Sequence, residues 1–201
     1  MKKALLAAVT LVAMAACHDP PAATTTTTGA TQAVAAEAPS APIYALRLAL
    51  RDQRDAAIGL DVFRGHPVIV SMFYGSCPAA CPLIVAHVKQ IEARLPPEVR
   101  EKTRVLLVSF DAEHDTPAAL RAIAERHRAD EARWTFAVGP DDEVRQLANV
   151  LGVVYRKEQS GAFSHNSVIS VLDGEGRIVA KIDEPNADLA PLARAVTAAA
   201  R

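Results

Sequence analysis

Two nearly unbroken apolar runs, Val68-Ile69-Val70-Ser71-Met72-Phe73 and Val105-Leu106-Leu107-Val108-Ser109-Phe110, limit the folds open to this 201-residue chain. A strand with one wet face alternates polar and apolar side chains. A run without alternation suits a strand buried on both faces, as in a sheet covered by helices above and below. Between the two runs Ile84, Val88, Ile91 and Leu95 recur at helical spacing, and Pro96-Pro97 stops that helix. Strand, helix, strand in this order predicts a βαβ unit.

The remaining segments extend the unit. Thr116 and Pro117 are suited to the N-cap and first turn of a helix carrying Leu120, Ile123 and Ala124. Trp134–Val138 predicts a third strand, and Val144, Leu147, Ala148 and Leu151 a helix closed by Gly152. Residues 167–172 and 177–182, joined by Asp173-Gly174-Glu175-Gly176, predict a β-hairpin, and Leu189, Leu192, Ala193 and Val196 a last helix. Upstream, Leu46, Leu48 and Leu50 alternate as in a strand, with a turn at 52–55 and a second short strand ending near Leu60. The sum is an α/β fold with a mixed central sheet flanked by helices and an N-terminal β-hairpin extension. Its order is similar to the thioredoxin-like arrangement, which places the 68–73 strand at the sheet centre.

The N-terminus predicts the compartment. Lys2-Lys3 followed by the uncharged stretch 4–16 reads as a secretory signal, too short to span a bilayer as a helix. Met14-Ala15-Ala16-Cys17 resembles a bacterial lipobox, in which Cys17 is acylated and becomes the mature N-terminus. The other possibility is an ordinary signal-peptidase site at which Cys17 is incidental. Several acyl chains give stable anchoring where one binds marginally. Residues 18–43, with Thr24 to Thr28, many alanines and several prolines, offer few large apolar side chains to bury and read as a flexible tether. The domain expectation is therefore a signal at 1–17, a linker at 18–43 and one globular domain at 44–201, on the periplasmic side of a bacterial membrane. The formal net charge of −1, with no long basic run, argues against nucleic acid as a partner.

Cys77 and Cys81, in Phe73-Tyr74-Gly75-Ser76-Cys77-Pro78-Ala79-Ala80-Cys81-Pro82, are the only cysteines of the globular part. They follow the central strand and precede a helix, where thiols are acidified and become better nucleophiles and better ligands. In an oxidising compartment such a pair readily forms a disulfide, but the loop it closes is too small to add much stability. Two uses remain open: a redox dithiol, or a grip on a soft metal ion. Dithiol oxidoreductases of this arrangement favour two intervening residues, and here there are three. One turn puts sulfurs at i and i+4 on one face. Two thiolates suit Cu(I) above all, and one imidazole completes a three-ligand copper site.

Of six histidines, His165 precedes the first strand of the predicted 167–182 hairpin. That strand should run antiparallel to the central one, which brings His165 to the sheet edge carrying the cysteines. His87 should point elsewhere, His127 shares a face with Leu120 and Ile123, and His66 and His114 fall in turns. No proline lies between Arg156 and Pro185, whereas thioredoxin-type enzymes place a cis-proline just before the corresponding strand. A peroxidase is disfavoured because the Pro-x-x-x-Thr-x-x-Cys pattern is missing, and a non-catalytic interaction domain would leave the dithiol unexplained.

Three segments carry a resemblance. The stretch Phe73 to Pro82 is similar to the Phe-x-x-x-Cys-Pro-x-x-Cys-Pro signature of the Sco/SenC family. Ser109-Phe110-Asp111-Ala112-Glu113-His114-Asp115-Thr116-Pro117 resembles its Ser-x-Asp-Pro-Glu-Arg-Asp-Thr-Pro segment, and Ser164-His165 with Asp173-Gly174 its Asp-His…Asp-Gly region. The resemblance implies a thioredoxin-like, membrane-tethered copper protein that helps assemble the binuclear copper centre of cytochrome c oxidase. Copper, as Cu(I) or Cu(II), would be held by Cys77, Cys81 and His165, and Cys77 and Cys81 would form the disulfide when oxidised. Asp111 would support the site from behind the ligands. The implied partner is a copper-receiving oxidase subunit or another periplasmic copper protein. Ala112, His114 and Ser164 depart from the family's usual Pro, Arg and Asp. The rival function is a thiol-disulfide oxidoreductase in which Cys77 and Cys81 alone are the catalytic pair.

Overall fold

Seven strands form the central sheet, in the order β2-β1-β5-β4-β3-β8-β9. The computed structural model describes residues 42–77, 80–184 and 186–201, without the side chains of residues 80 and 81. The signal with Cys17 and residues 18–41 of the tether lie outside the described residues, as do Pro78 and Ala79, whereas Ile43, read as the tether's last residue, is buried in the domain. The central strand β3 (Val68–Phe73) pairs in parallel with β4 (Arg104–Ser109), which pairs in parallel with β5 (Trp134–Val138). On its other side β3 pairs antiparallel with β8 (Ile169–Leu172), and β8 with β9 (Ile178–Ile182). The far edge is the hairpin of β1 (Leu50–Asp52) and β2 (Ala57–Ile58), with β1 antiparallel to β5. This is the mixed, helix-flanked, thioredoxin-like sheet that the segment order predicted.

Every residue of β3 is buried, as a strand covered on both faces requires. Ile69 and Phe73 face one apolar layer with the helices α1 (Ala80–Ala93), α3 (Pro117–Arg126) and α5 (Ala190–Ala199). Val68, Val70 and Met72 face the other, with α4 (Asp141–Leu151) and the N-terminal 3-10 turns. Local chemistry sets the helix ends. The Thr116 hydroxyl accepts from the Ala119 amide with Pro117 at the first helical position, and Gly152 closes α4 in the left-handed conformation at φ 77°. Pro82 sits in the first turn of α1, where its missing N–H is not needed.

One expectation needs correction, and two elements went unread. The N-terminal strand starts only at Leu50. Residues 43–45 form a 3-10 turn, the Ile43 amide bonds to the Gly176 carbonyl at 2.9 Å, and the Ala49 amide bonds to the Glu143 carboxylate. Upstream backbone thus spends its donors outside the sheet. The second proline of Pro96-Pro97 also starts a short helix, α2 (Pro97–Lys102), because proline suits the first helical position. Finally, His165 belongs to a short strand that local patterns did not mark. It ends β7 (Phe163–His165), which pairs with β6 (Tyr155–Lys157) in a separate two-stranded sheet.

Candidate metal centre

Parallel pairing of β3 and β4 ends with Phe73 beside Ser109, and the Phe110 amide extends the ladder to the Phe73 carbonyl at 3.0 Å. The loops after both strands therefore leave the sheet at one edge. Because β8 runs antiparallel to β3, the residues leading into β8 arrive at the same edge. The Ser71 hydroxyl holds them there by donating to the Val168 carbonyl at 2.6 Å.

The loop after β3 is tied down. The Cys77 amide donates to the Tyr74 carbonyl at 3.2 Å, closing a turn. The Gly75 amide donates to Asp115 Oδ2 at 2.7 Å, and the Ser109 hydroxyl donates to the same oxygen. Ser109 Oγ in turn accepts from the Asp111 amide at 3.0 Å. Asp115 is only 3% exposed, and burial raises its carboxyl pKa above the usual aspartate value. Cys77 is half-buried and packs against both apolar layers. Cys81 is the second residue of α1, in the first helical turn, and its side chain is not among what the structure describes.

His165 reaches the same place from the small sheet. Its Nδ1 lies 2.9 Å from the Asn166 carbonyl oxygen. A carbonyl can only accept, so Nδ1 carries the proton and the neutral ring keeps a lone pair on Nε2, as metal-binding histidines require. Asn166 is itself stapled: its Oδ1 accepts from the Val154 amide at 2.8 Å and its Nδ2 donates to the Gly152 carbonyl at 3.1 Å. The imidazole meets Tyr74 edge-on, with ring centres 5.7 Å apart and planes at 86°, and lies 5.2 Å from Phe110. Tyr74, Phe110, Tyr155 and Phe163 complete an aromatic box, with Phe110 and Tyr155 stacked at 4.6 Å.

Tyr74 joins the two sides. Burial first and the neighbouring Cys77 side chain next raise its phenol pKa, and its ring touches His165. Sulfur and imidazole thus converge on one aromatic residue within a largely apolar surround. This combination suits a soft cation shielded from water.

The carboxylate of Asp111, 3% exposed, is taken by His114, whose Nδ1 lies 2.9 Å from both oxygens. That bond raises the His114 pKa above the usual 6.5. The Asp111 charge also reaches Tyr74, where it helps keep the phenol protonated. Asp111, Glu113 and His114 bring possible ligand atoms within 4.8 Å of one another, but Glu113 is paired with Lys157 and Asp111 with His114. The other histidines lie apart: His66 Nδ1 sits 3.0 Å from the Lys102 carbonyl, while His87 and His127 are half-buried with pKa values lowered by burial.

Sequence reasoning missed Tyr74, Gly75, Asp115 and Asn166. Gly75 and Asp115 stood inside motifs already quoted, yet nothing in one strand's periodicity says that the two loops touch. Asn166 adjoins His165, but its role depends on a hairpin too short to show a pattern.

A family model described as SCO1/SenC matches residues 36–201. A Stutzerimonas stutzeri protein named for copper binding is 24% identical over 143 residues, covering 69% of each chain. The crystal structure of a SCO1/SenC family lipoprotein from Bacillus anthracis superposes with a TM-score of 0.68 at 17% identity, covering 76% of this chain and 92% of that one. Copper-bound ScoI from Bradyrhizobium japonicum gives 0.63 at 19%, covering 76% and 96%.

Proposed function

This chain belongs to the SCO1/SenC family, and from that premise we propose that it is a copper-binding metallochaperone. Its task is to assist assembly of the binuclear copper centre of cytochrome c oxidase. Copper is the cargo, gripped by the thiolates of Cys77 and Cys81 and by Nε2 of His165. The observation that carries this reading is the convergence of the Cys77 side chain and the His165 ring on Tyr74. Two thiolates and one imidazole form a soft, three-ligand set suited to Cu(I) and able to hold Cu(II). The thiols must be reduced before loading, so a disulfide between Cys77 and Cys81 is the unloaded, oxidised state. Asp111 supports the site through its charge near Tyr74. Residues 1–17 serve as export signal with an acylated Cys17, residues 18–43 as tether and residues 44–201 as the domain, anchored on the periplasmic side of the membrane.

The test is copper stoichiometry of the reduced, purified protein, with Cys77→Ser, Cys81→Ser and His165→Ala variants alongside. Each variant loses stoichiometric binding, and none restores oxidase activity to a strain lacking the gene. Full copper occupancy in His165→Ala would remove the imidazole from the site. Rapid disulfide turnover by a wild-type protein that takes up no copper would establish the oxidoreductase in place of the chaperone.

A further inference from the structure

The candidate metal centre occupies the sheet edge where β3 ends. The chain enters the domain at the opposite edge, where the Ile43 amide bonds to the Gly176 carbonyl in the turn between β8 and β9. Helix α1 starts at the metal edge and leads away from it over 14 residues, about 21 Å. Arg94, directly after α1, therefore lies far from the ligands. There it lines a groove of about 440 Å³ with Arg194 and Arg201, beside Ala193, Thr197 and Ala198 of α5. All three arginines are exposed, and among the described residues none of them enters an ion pair. The Thr197 hydroxyl already donates to the Ala193 carbonyl at 2.9 Å, so what the groove offers a ligand is positive charge. Other charges at this edge largely cancel. Arg177 pairs with Asp173 and Glu175, Arg133 with Glu92 and Asp130, and α2 carries Glu98 and Glu101 against Arg100 and Lys102. At the metal edge the sign reverses: Asp183 and Glu184 follow β9 and are exposed, while Lys157 and Arg156 are paired with Glu113 and Glu158.

We propose that the arginine groove is the membrane-facing surface of the domain, holding the phosphates of anionic lipid headgroups in the bilayer that carries Cys17. The proposal rests on the anchored reading above. Guanidinium groups take phosphate oxygens through paired N–H donors and are more weakly hydrated than ammonium groups. From Cys17 to Ile43 the chain spans 26 positions, at most about 90 Å when fully extended, so the domain stays close to the bilayer. A tethered surface needs little affinity of its own, because the link supplies a high local concentration of its target. Each arginine near an anionic surface then strengthens the contact about fivefold. With the groove on the headgroups, the metal edge faces outward, and the exposed Asp183 and Glu184 are kept away from a surface of their own sign.

Phenylglyoxal modifies accessible arginines, and mass spectrometry of the digest reads the contact residue by residue. The acylated protein is placed in nanodiscs of phosphatidylcholine, with or without phosphatidylglycerol. Phosphatidylglycerol slows the modification of Arg94, Arg194 and Arg201 severalfold and leaves Arg156, at the metal edge, unchanged. Added salt screens exposed charges and restores the three rates. Arg94→Gln weakens the contact about fivefold, so Arg194 and Arg201 react faster in the anionic discs while copper stoichiometry keeps its wild-type value. Equal rates at the three arginines in both kinds of disc would overturn the proposal, as would slowing that reaches Arg156 to the same extent. A mature protein whose mass shows no acyl chain on Cys17 would defeat the anchored reading itself, so the two failures are distinguishable.

Discussion

Gly75→Ala tests whether the loop carrying Cys77 is held by Asp115. A methyl group built on Gly75 collides with the Asp115 carboxylate and comes within 2.7 Å of Ile123 Cδ1. Gly75 is not among the residues with positive φ, so the substitution strains contacts and not the backbone. The carboxylate cannot swing into water, because Asp115 is 3% exposed and bonds both the Gly75 amide and the Ser109 hydroxyl. Displacing it leaves buried polar groups without partners, at about 1–3 kcal/mol. Crowding Ile123 adds about 1–3 kcal/mol. The lower chain entropy of alanine in the unfolded state returns about 0.4–1 kcal/mol. The net destabilisation is about 1–5.5 kcal/mol. For a domain of this size each kcal/mol lowers Tm by about 2–4 °C, so the melting temperature falls by about 2–22 °C. Urea unfolding of the metal-free, reduced protein measures the change directly. A cycle with Asp115→Ala isolates the contact: with the carboxylate gone, the added methyl meets only Ile123, and the two substitutions couple by about 1–2 kcal/mol. A Gly75→Ala protein within about 0.5 kcal/mol of wild type, or equal costs in both backgrounds, would refute the clamp.

Two further outcomes follow from the same edge of the sheet. His114 titrates above 6.5 because Asp111 accepts from its Nδ1. A raised folded value means that the pair's contribution to stability is complete below the unfolded value and is lost as pH rises through the folded one. NMR titration of the His114 ring shows the raised midpoint, and Asp111→Asn returns it toward 6.5; an unmoved midpoint would show that Asp111 is not the cause. Asn166→Ala removes two side-chain hydrogen bonds that hold the backbone beside His165, and being exposed it costs only about 1 kcal/mol of stability. Copper affinity should fall while the far-UV circular dichroism stays unchanged, and an unaltered affinity would mean that the imidazole is positioned without Asn166.

Much of the fold could be read from local patterns, because each decisive element carried its own signal. The absence of alternation marked β3 and β4 as central strands, and Thr116-Pro117 and Gly152 marked helix ends whose capping geometry the structure reproduces. The antiparallel course of β8 beside β3 followed from the same order and drew His165 toward Cys77. What stayed hidden was tertiary. Each strand of the β6–β7 hairpin is only three residues long, too short for periodicity to distinguish it from a loop. The reach of Asp115 to Gly75 spans 40 positions and depends on two loops meeting past parallel strands. Tyr74 stood inside a quoted motif, and nothing local says that its ring meets His165.

The strands of the β6–β7 hairpin hydrogen-bond as a ladder only to each other, outside the seven-stranded sheet. It leans on the domain through aromatic side chains and through the Lys157–Glu113 ion pair. For protein engineering this makes the third ligand a detachable part. Residues can be inserted at the hairpin turn, or a hairpin bearing a methionine or a carboxylate in place of the imidazole can be transplanted, without shifting the register of any central strand. One scaffold could then present the same pair of thiols with a series of different third donors, as a chemist varies one arm of a chelator while keeping the others.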